Sequence, residues 1–138
     1  MNYKYISHSD SETQSIGSEL ARYLKKGDTV LLFGDLGYGK TTFTKGVAIG
    51  LNIKGRLTSP TFTIIKKYKH LIHIDLYRIE SKKQLDEIGM HEIISDQDSI
   101  KIIEWPENMY GALPSKRWEV AIRLDKDNTR VFNINKYE

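Results

Sequence analysis

Apolar and polar positions along this chain change period several times, and each change marks an element. Residues 29–33 contain the unbroken apolar run Val30-Leu31-Leu32-Phe33, rich in strand formers, which predicts a short buried strand. From Lys40 the period lengthens. Phe43, Val47 and Leu51 recur four residues apart with Ala48 beside them, as the inward stripe of a helix requires. Upstream, residues 3–6 read as an opening edge strand. Ser9-Asp-Ser-Glu12 then has the form of a capping box, and Ile16, Leu20 and Leu24 mark the buried side of a helix that Gly27 is placed to end.

Beyond residue 50 the pattern loosens through Gly50 and residues 52–55, and Pro60 assigns residues 57–62 to a loop. Residues 62–68 and 71–77 are strand-like runs joined at Lys69-His70, which predicts an antiparallel hairpin. Residues 81–94 read as one helix, opened by a second capping box at Ser81 and Gln84. Residues 100–105 form another apolar strand. Residues 118–124 and 129–134 alternate across the polar turn 125–128, as a closing hairpin would. Helices interleave with strands early and strands dominate late. The expected architecture is α/β: a mixed, mainly parallel central sheet flanked by helices and extended by antiparallel hairpins.

Size narrows this further. The chain has 138 residues, enough for one domain spanning 1–138 but leaving little room for a lid or a second substrate domain. Net charge is +3 with scattered lysines, densest at Lys66, Lys67 and Lys69, which reads as a solvated, mildly basic face more readily than as a nucleic-acid footprint. The absence of cysteine excludes disulfides, thiolate metal sites and a cysteine nucleophile. No apolar stretch approaches a membrane span and the first residues lack a signal-peptide core, so the expectation is a cytoplasmic protein without membrane contact. The four histidines show no metal-ligand spacing, and no Ser/His/Asp arrangement is visible locally.

Candidate chemistry concentrates between the buried strand and the helix that follows it. Gly34-Asp-Leu-Gly-Tyr-Gly-Lys-Thr41 matches the phosphate-binding pattern G-x-x-x-x-G-K-[ST] at every fixed position. Gly34, Gly37 and Gly39 can take positive φ and carry no side chain, so backbone N–H groups can turn inward around a β-phosphate, with the positive end of the next helix behind them. Lys40 would set its ammonium on the β- and γ-phosphates, the Thr41 hydroxyl would complete a magnesium shell, and Thr42 would assist at the α-phosphate. The competing reading is a glycine turn before a buried helix, with a solvated lysine. Such a loop also needs an acid at the end of a neighbouring strand to organise the metal, and Asp75 and Glu104 both qualify. Spacing does not choose between them.

Five separated segments carry a resemblance. Residues 34–42, Ser59-Pro-Thr-Phe62, His73-Ile-Asp-Leu-Tyr-Arg78, Glu87-Ile-Gly89 and Ile103-Glu-Trp-Pro106 resemble, in order and in spacing, the successive motifs of the bacterial TsaE family. These are the small P-loop ATPases of tRNA threonylcarbamoyladenosine biosynthesis. The resemblance covers roughly residues 10–132.

It implies a magnesium-linked pair of Thr41 and Glu104, with Asp75 as a second catalytic carboxylate near the γ-phosphate and the attacking water. Residues 59–61 would be a switch-like loop, Trp105 the family's tryptophan beside the acid, and Thr13 a threonine near the nucleotide base. Tyr38 departs from the family, which usually has a small residue there; the expectation is that it points outward, over the site or toward a partner. Arg78 and Arg130 are each candidates to neutralise transition-state charge and equally consistent with surface ion pairs.

The expected cofactors are ATP and Mg2+. ATP is favoured over GTP because the nearest match to a guanine-selecting motif, residues 135–138, carries Glu138 at the selective position. The resemblance further implies that the TsaB–TsaD pair is the partner, that this chain does not transfer the threonylcarbamoyl group, and that any tRNA contact is indirect or through the complex. Two other classes share the glycine loop: a small-molecule kinase, which should add an arginine-rich lid and an acceptor pocket, and a nucleotide-dependent binding module with incidental hydrolysis.

Overall fold

The computed structural model describes residues 2–35, 37–54 and 65–138. Its centre is a sheet of seven strands in the order β1-β7-β6-β2-β5-β4-β3. These are β1 (Asn2–Ser7), β2 (Thr29–Phe33), β3 (Ile65–Tyr68), β4 (Leu71–Asp75), β5 (Ile100–Glu104), β6 (Arg117–Leu124) and β7 (Arg130–Tyr137). The inner strands β6, β2, β5 and β4 run parallel, while β1, β7 and β3 pair antiparallel at the two sides. This is the mixed, mainly parallel sheet with hairpin extensions that the alternating pattern predicts.

Helices cover both faces of the parallel strands. α1 (Asp10–Ala21) and α2 (Lys40–Gly50) bury Ile16, Leu20, Phe43 and Val47 with Val30, Leu32, Ile100 and Ile102. α3 (Lys82–Glu87) and α4 (Met90–Ser95) bury Leu85 and Met90 on the opposite face, with Leu31, Ile72, Ile74 and Ile103. Successive residues of a strand point to opposite faces, so one apolar run supplies both cores. Lys101, in the middle of that run, is fully buried. Its ammonium donates to the carbonyls of Gly27 (3.0 Å) and Asp96 (2.6 Å), and burial lowers its pKa.

α1 and α2 cross with their backbones in contact. A β-carbon on Gly46 would lie 2.1 Å from the Gln14 carbonyl oxygen, and one on Gly17 would lie 2.3 Å from that of Phe43. The Ser18 hydroxyl bridges the same crossing, donating to the Gly46 carbonyl at 2.8 Å. Both serine caps form. Ser9 Oγ accepts from the Glu12 N–H and Ser81 Oγ from the Gln84 N–H, while Glu12 and Gln84 each reach back to the N–H of the residue before the cap, His8 and Glu80.

Four elements differ from their sequence reading. The first helix ends at Ala21, before Leu24 and Gly27, and β4 stops at Asp75 instead of reaching residue 77. The helix expected over 81–94 is two helices, because Gly89 adopts φ 78° and ends one before the other begins. The strand expected to include Trp105 stops at Glu104, since Trp105 has φ 57°, outside strand geometry. The loop at 57–62, including the switch-like residues 59–61, lies outside the described residues, as do the first residues of the strand expected over 62–68. Among the described residues no helix is long and apolar enough to cross a membrane.

Candidate functional site

Parallel pairing sets the site. β2, β5 and β4 lie side by side and run the same way, so their carboxyl ends meet at one edge of the sheet. Leu32 and Asp75 are both register partners of Glu104. The glycine loop therefore leaves β2 beside the two acids, which end adjacent strands. A cleft of about 310 Å³ opens there, lined by Asp10, Gly37, Gly39, Lys40, Thr41, Thr42, Asp75, Glu104 and Arg130.

Lys40, the first residue of α2, is 5 % exposed. Its ammonium lies 3.8 Å from Glu104 Oε1 and 4.7 Å from the centre of the Trp105 ring. No hydrogen-bond acceptor reaches it among the described residues. A buried ammonium held only by a long ion pair and a ring face is under-satisfied. Gly39 precedes it at φ 96° and, lacking a side chain, cannot cap the first-turn N–H groups of α2. A β-carbon at Gly39 would also come within 3.0 Å of the Arg130 guanidinium.

Arg130, on β7, is held by α1. Its Nη1 donates to Asp10 Oδ1 at 2.9 Å and to Thr13 Oγ1 at 3.3 Å. The close crossing of α1 on α2 brings the start of α1 within reach of the glycine loop. Thr13 itself is fully buried, 2.7 Å from Ser7 Oγ, does not line the cleft and is joined to it through Arg130.

Glu104 is nearly buried and contacted from two sides, by Lys40 at Oε1 and by His73 Nε2, 2.5 Å from Oε2. Asp75 is half-buried; its Oδ1 accepts from the Tyr77 N–H at 2.9 Å. Burial raises the Asp75 pKa above the ordinary carboxylate range. The Tyr77 hydrogen bond opposes this, the nearby Glu104 charge adds to it, and Lys40 and His73 act against it more weakly. Trp105 follows Glu104 in a left-handed conformation, and Tyr77 stacks on it obliquely at 5.0 Å. Among the described residues no group of three His, Asp or Glu side chains could hold a metal unaided. A magnesium ion bound chiefly through phosphate oxygens does not need one.

Of the residues singled out from sequence, Gly37, Gly39, Lys40, Thr41, Thr42, Asp75, Glu104 and Arg130 share the cleft. Gly34 turns the chain at the end of β2 with φ 154° and does not line it. Tyr38 is not among the residues lining the cleft: it is partly buried against the core on the α1–α2 side, and its N–H donates to the Asp35 carbonyl. Burial of a large ring against an apolar core outweighs exposing it at a loop tip. Arg78 is exposed and outside the cleft lining. His73 lacks metal-ligand spacing, so sequence reasoning gives it no part in the site. The available signal was its period-two relation to Asp75, which puts both on one face of β4.

The family model for threonylcarbamoyl adenosine biosynthesis protein TsaE matches residues 7–132. The tRNA threonylcarbamoyladenosine biosynthesis protein TsaE of Bacillus subtilis is 38 % identical, with 98 % of this chain and 89 % of that protein covered. The protein of the same name from Treponema pallidum is 35 % identical over 94 % of this chain and 97 % of its own. Among solved structures, Bacillus subtilis YdiB superimposes with a TM-score of 0.84 and 34 % identity, covering all of this chain and 87 % of that one. By sequence over most of its length, and by fold, this chain belongs to the TsaE family.

Proposed function

We propose that the cleft binds magnesium–ATP and hydrolyses its β–γ anhydride, and that the protein serves tRNA threonylcarbamoyladenosine biosynthesis as the ATPase acting with the TsaB–TsaD pair. The observation that carries this reading is the Lys40 ammonium, buried beside a glycine loop with no hydrogen-bond acceptor among the described residues. Phosphate oxygens would supply what it lacks, and the uncapped start of α2 favours the same charge.

The chain's own groups divide the work. Gly37, Gly39 and the first turn of α2 offer N–H groups around the phosphates, and Lys40 stabilises charge developing on the β- and γ-oxygens. Thr41 and Glu104 would hold magnesium, which when bound neutralises phosphate charge. Asp75, its basicity raised by burial, orients water and takes its proton; Oδ1 is engaged by Tyr77, so Oδ2 is the oxygen left for this. Arg130 is placed to neutralise charge at the glycine loop, and Thr13 to orient Arg130.

Turnover by the chain alone is expected to be slow, with TsaB–TsaD completing water exclusion. The threonylcarbamoyl group is not transferred by this protein. Equilibrium titration with ATP, followed by phosphate release with and without TsaB–TsaD, tests the reading. Magnesium-dependent binding and partner-stimulated release are expected. Consumption of ATP only in the presence of a small-molecule acceptor would replace it with a kinase. Multiple-turnover reconstitution of tRNA modification that proceeds equally well without the chain would remove the pathway assignment.

A further inference from the structure

Glu104 has one carboxylate oxygen on the cleft side and one turned away from it. Oε1 faces Lys40 at 3.8 Å, and Oε2 meets the imidazole of His73 at 2.5 Å. His73 lies on β4, fully buried, beneath the cleft and not among the residues lining it. Among the described residues it therefore meets the cleft through Glu104. Its other ring nitrogen, Nδ1, is buried without a hydrogen-bond partner among the described residues. A bare lone pair is tolerated there more readily than an unpaired N–H, so the ring proton is assigned to Nε2, which donates to Oε2.

A carboxylate at the end of a glutamate turns easily, since its terminal torsion is broad and its two oxygens are equivalent. A charge-assisted bond to a buried, packed imidazole removes that freedom. We propose that His73 is a positioning residue: it holds Oε2 so that Oε1 alone is presented to the magnesium–ATP complex. The inference rests on the reading of the cleft given above. It adds a role for a side chain that, as a mere core filler, would affect stability without selecting for magnesium.

Partners that orient a ligating group typically change metal affinity by about 10- to 100-fold when removed. The test is ATP titration over a series of magnesium concentrations, with nucleotide affinity in chelator as the control for an intact loop. His73→Leu and His73→Asn both lose the bond, the asparagine amide being too short to reach Glu104. Each is expected to raise the half-saturating magnesium concentration about 10-fold or more, with affinity in chelator unchanged. In His73→Gln the amide nitrogen lies as far along the side chain as Nε2, and the half-point should return to within about 3-fold of the parent. Should His73→Leu not fold, the Asn and Gln pair decides the question alone. On a Glu104→Gln background, His73→Asn should add nothing further.

An unchanged magnesium half-point in His73→Asn overturns the inference. So does a His73→Gln variant as impaired as Asn, or an effect of Asn that persists without the Glu104 carboxylate. A parent chain that binds ATP with no magnesium dependence overturns the reading of the site itself, and is seen before any variant is made.

Discussion

The Lys40 ammonium rests 4.7 Å from the centre of the Trp105 ring, on the face of an indole whose own N–H is buried without a partner among the described residues. Trp105 occupies a left-handed backbone conformation that a bulky residue adopts only when its surroundings require it. An ammonium drawn toward phosphate oxygens leaves this ring face, which changes the electrostatic surroundings of the indole. ATP titration should therefore alter tryptophan emission. The signal should survive Trp118→Phe and disappear in Trp105→Phe; the reverse pattern would show that Lys40 does not move relative to the ring.

Removing the cation should abolish the central contact. Lys40→Ala is expected to weaken ATP binding by roughly 10- to 100-fold, the range for losing hydrogen bonds to a charged group. Calorimetric titration measures it directly, and unchanged affinity would mean that phosphate does not sit at the base of this cleft.

Asp75 gives a pH-dependent prediction whose sign follows from its raised pKa. An acid with a higher pKa in the folded than in the unfolded chain destabilises the fold when ionised. That cost is absent well below the ordinary carboxylate pKa, grows as pH rises through the folded value and is complete above it. Asp75→Asn should accordingly raise Tm near neutral pH, with the gain vanishing in strong acid. The same variant should bind ATP and fail to hydrolyse it. Thermal melts across pH, paired with phosphate release, separate the two effects; a variant less stable at neutral pH would show that the Tyr77 bond outweighs burial.

The helix crossing should tolerate no added carbon. Gly46→Ala places its methyl 2.1 Å from a carbonyl oxygen of α1, which forces the helices apart and should cost at least about 2 kcal/mol in denaturant unfolding. Since α1 carries Asp10 and Thr13, which hold Arg130, the surviving folded fraction should also bind nucleotide more weakly. Ser9→Ala, which only uncaps α1, is expected to cost about 1 kcal/mol. Equal losses for the two variants would remove the packing argument.

The parts of this architecture legible from residue order are those governed by local rules. The run Val30-Leu31-Leu32-Phe33, the glycine loop, both serine caps and the closing hairpin each declare themselves within a short contiguous stretch, because period and turn chemistry act at that range. Gly89 is plain in the sequence, but a glycine inside a periodic stretch reveals its left-handed φ only once two apolar turns pack separately. The packing of Tyr38 is not legible locally because the core that meets its ring is assembled from distant strands. The contact of His73 with Glu104 is illegible locally for a similar reason, although its shared face with Asp75 is not. Its partner is far away in sequence, and only the pairing of β4 with β5 makes them neighbours.

That pairing also bears on how the site comes into being. The face presented by each residue of a strand is decided by whether its register number is odd or even. An offset of one step between β4 and β5 would send His73 and Asp75 to the far side together, rather than loosening them by degrees. A fragment carrying the glycine loop alone would lack both acids. Competence at this cleft is thus a digital outcome of chain pairing, acquired at the moment the sheet closes and lost in the same stroke when it opens.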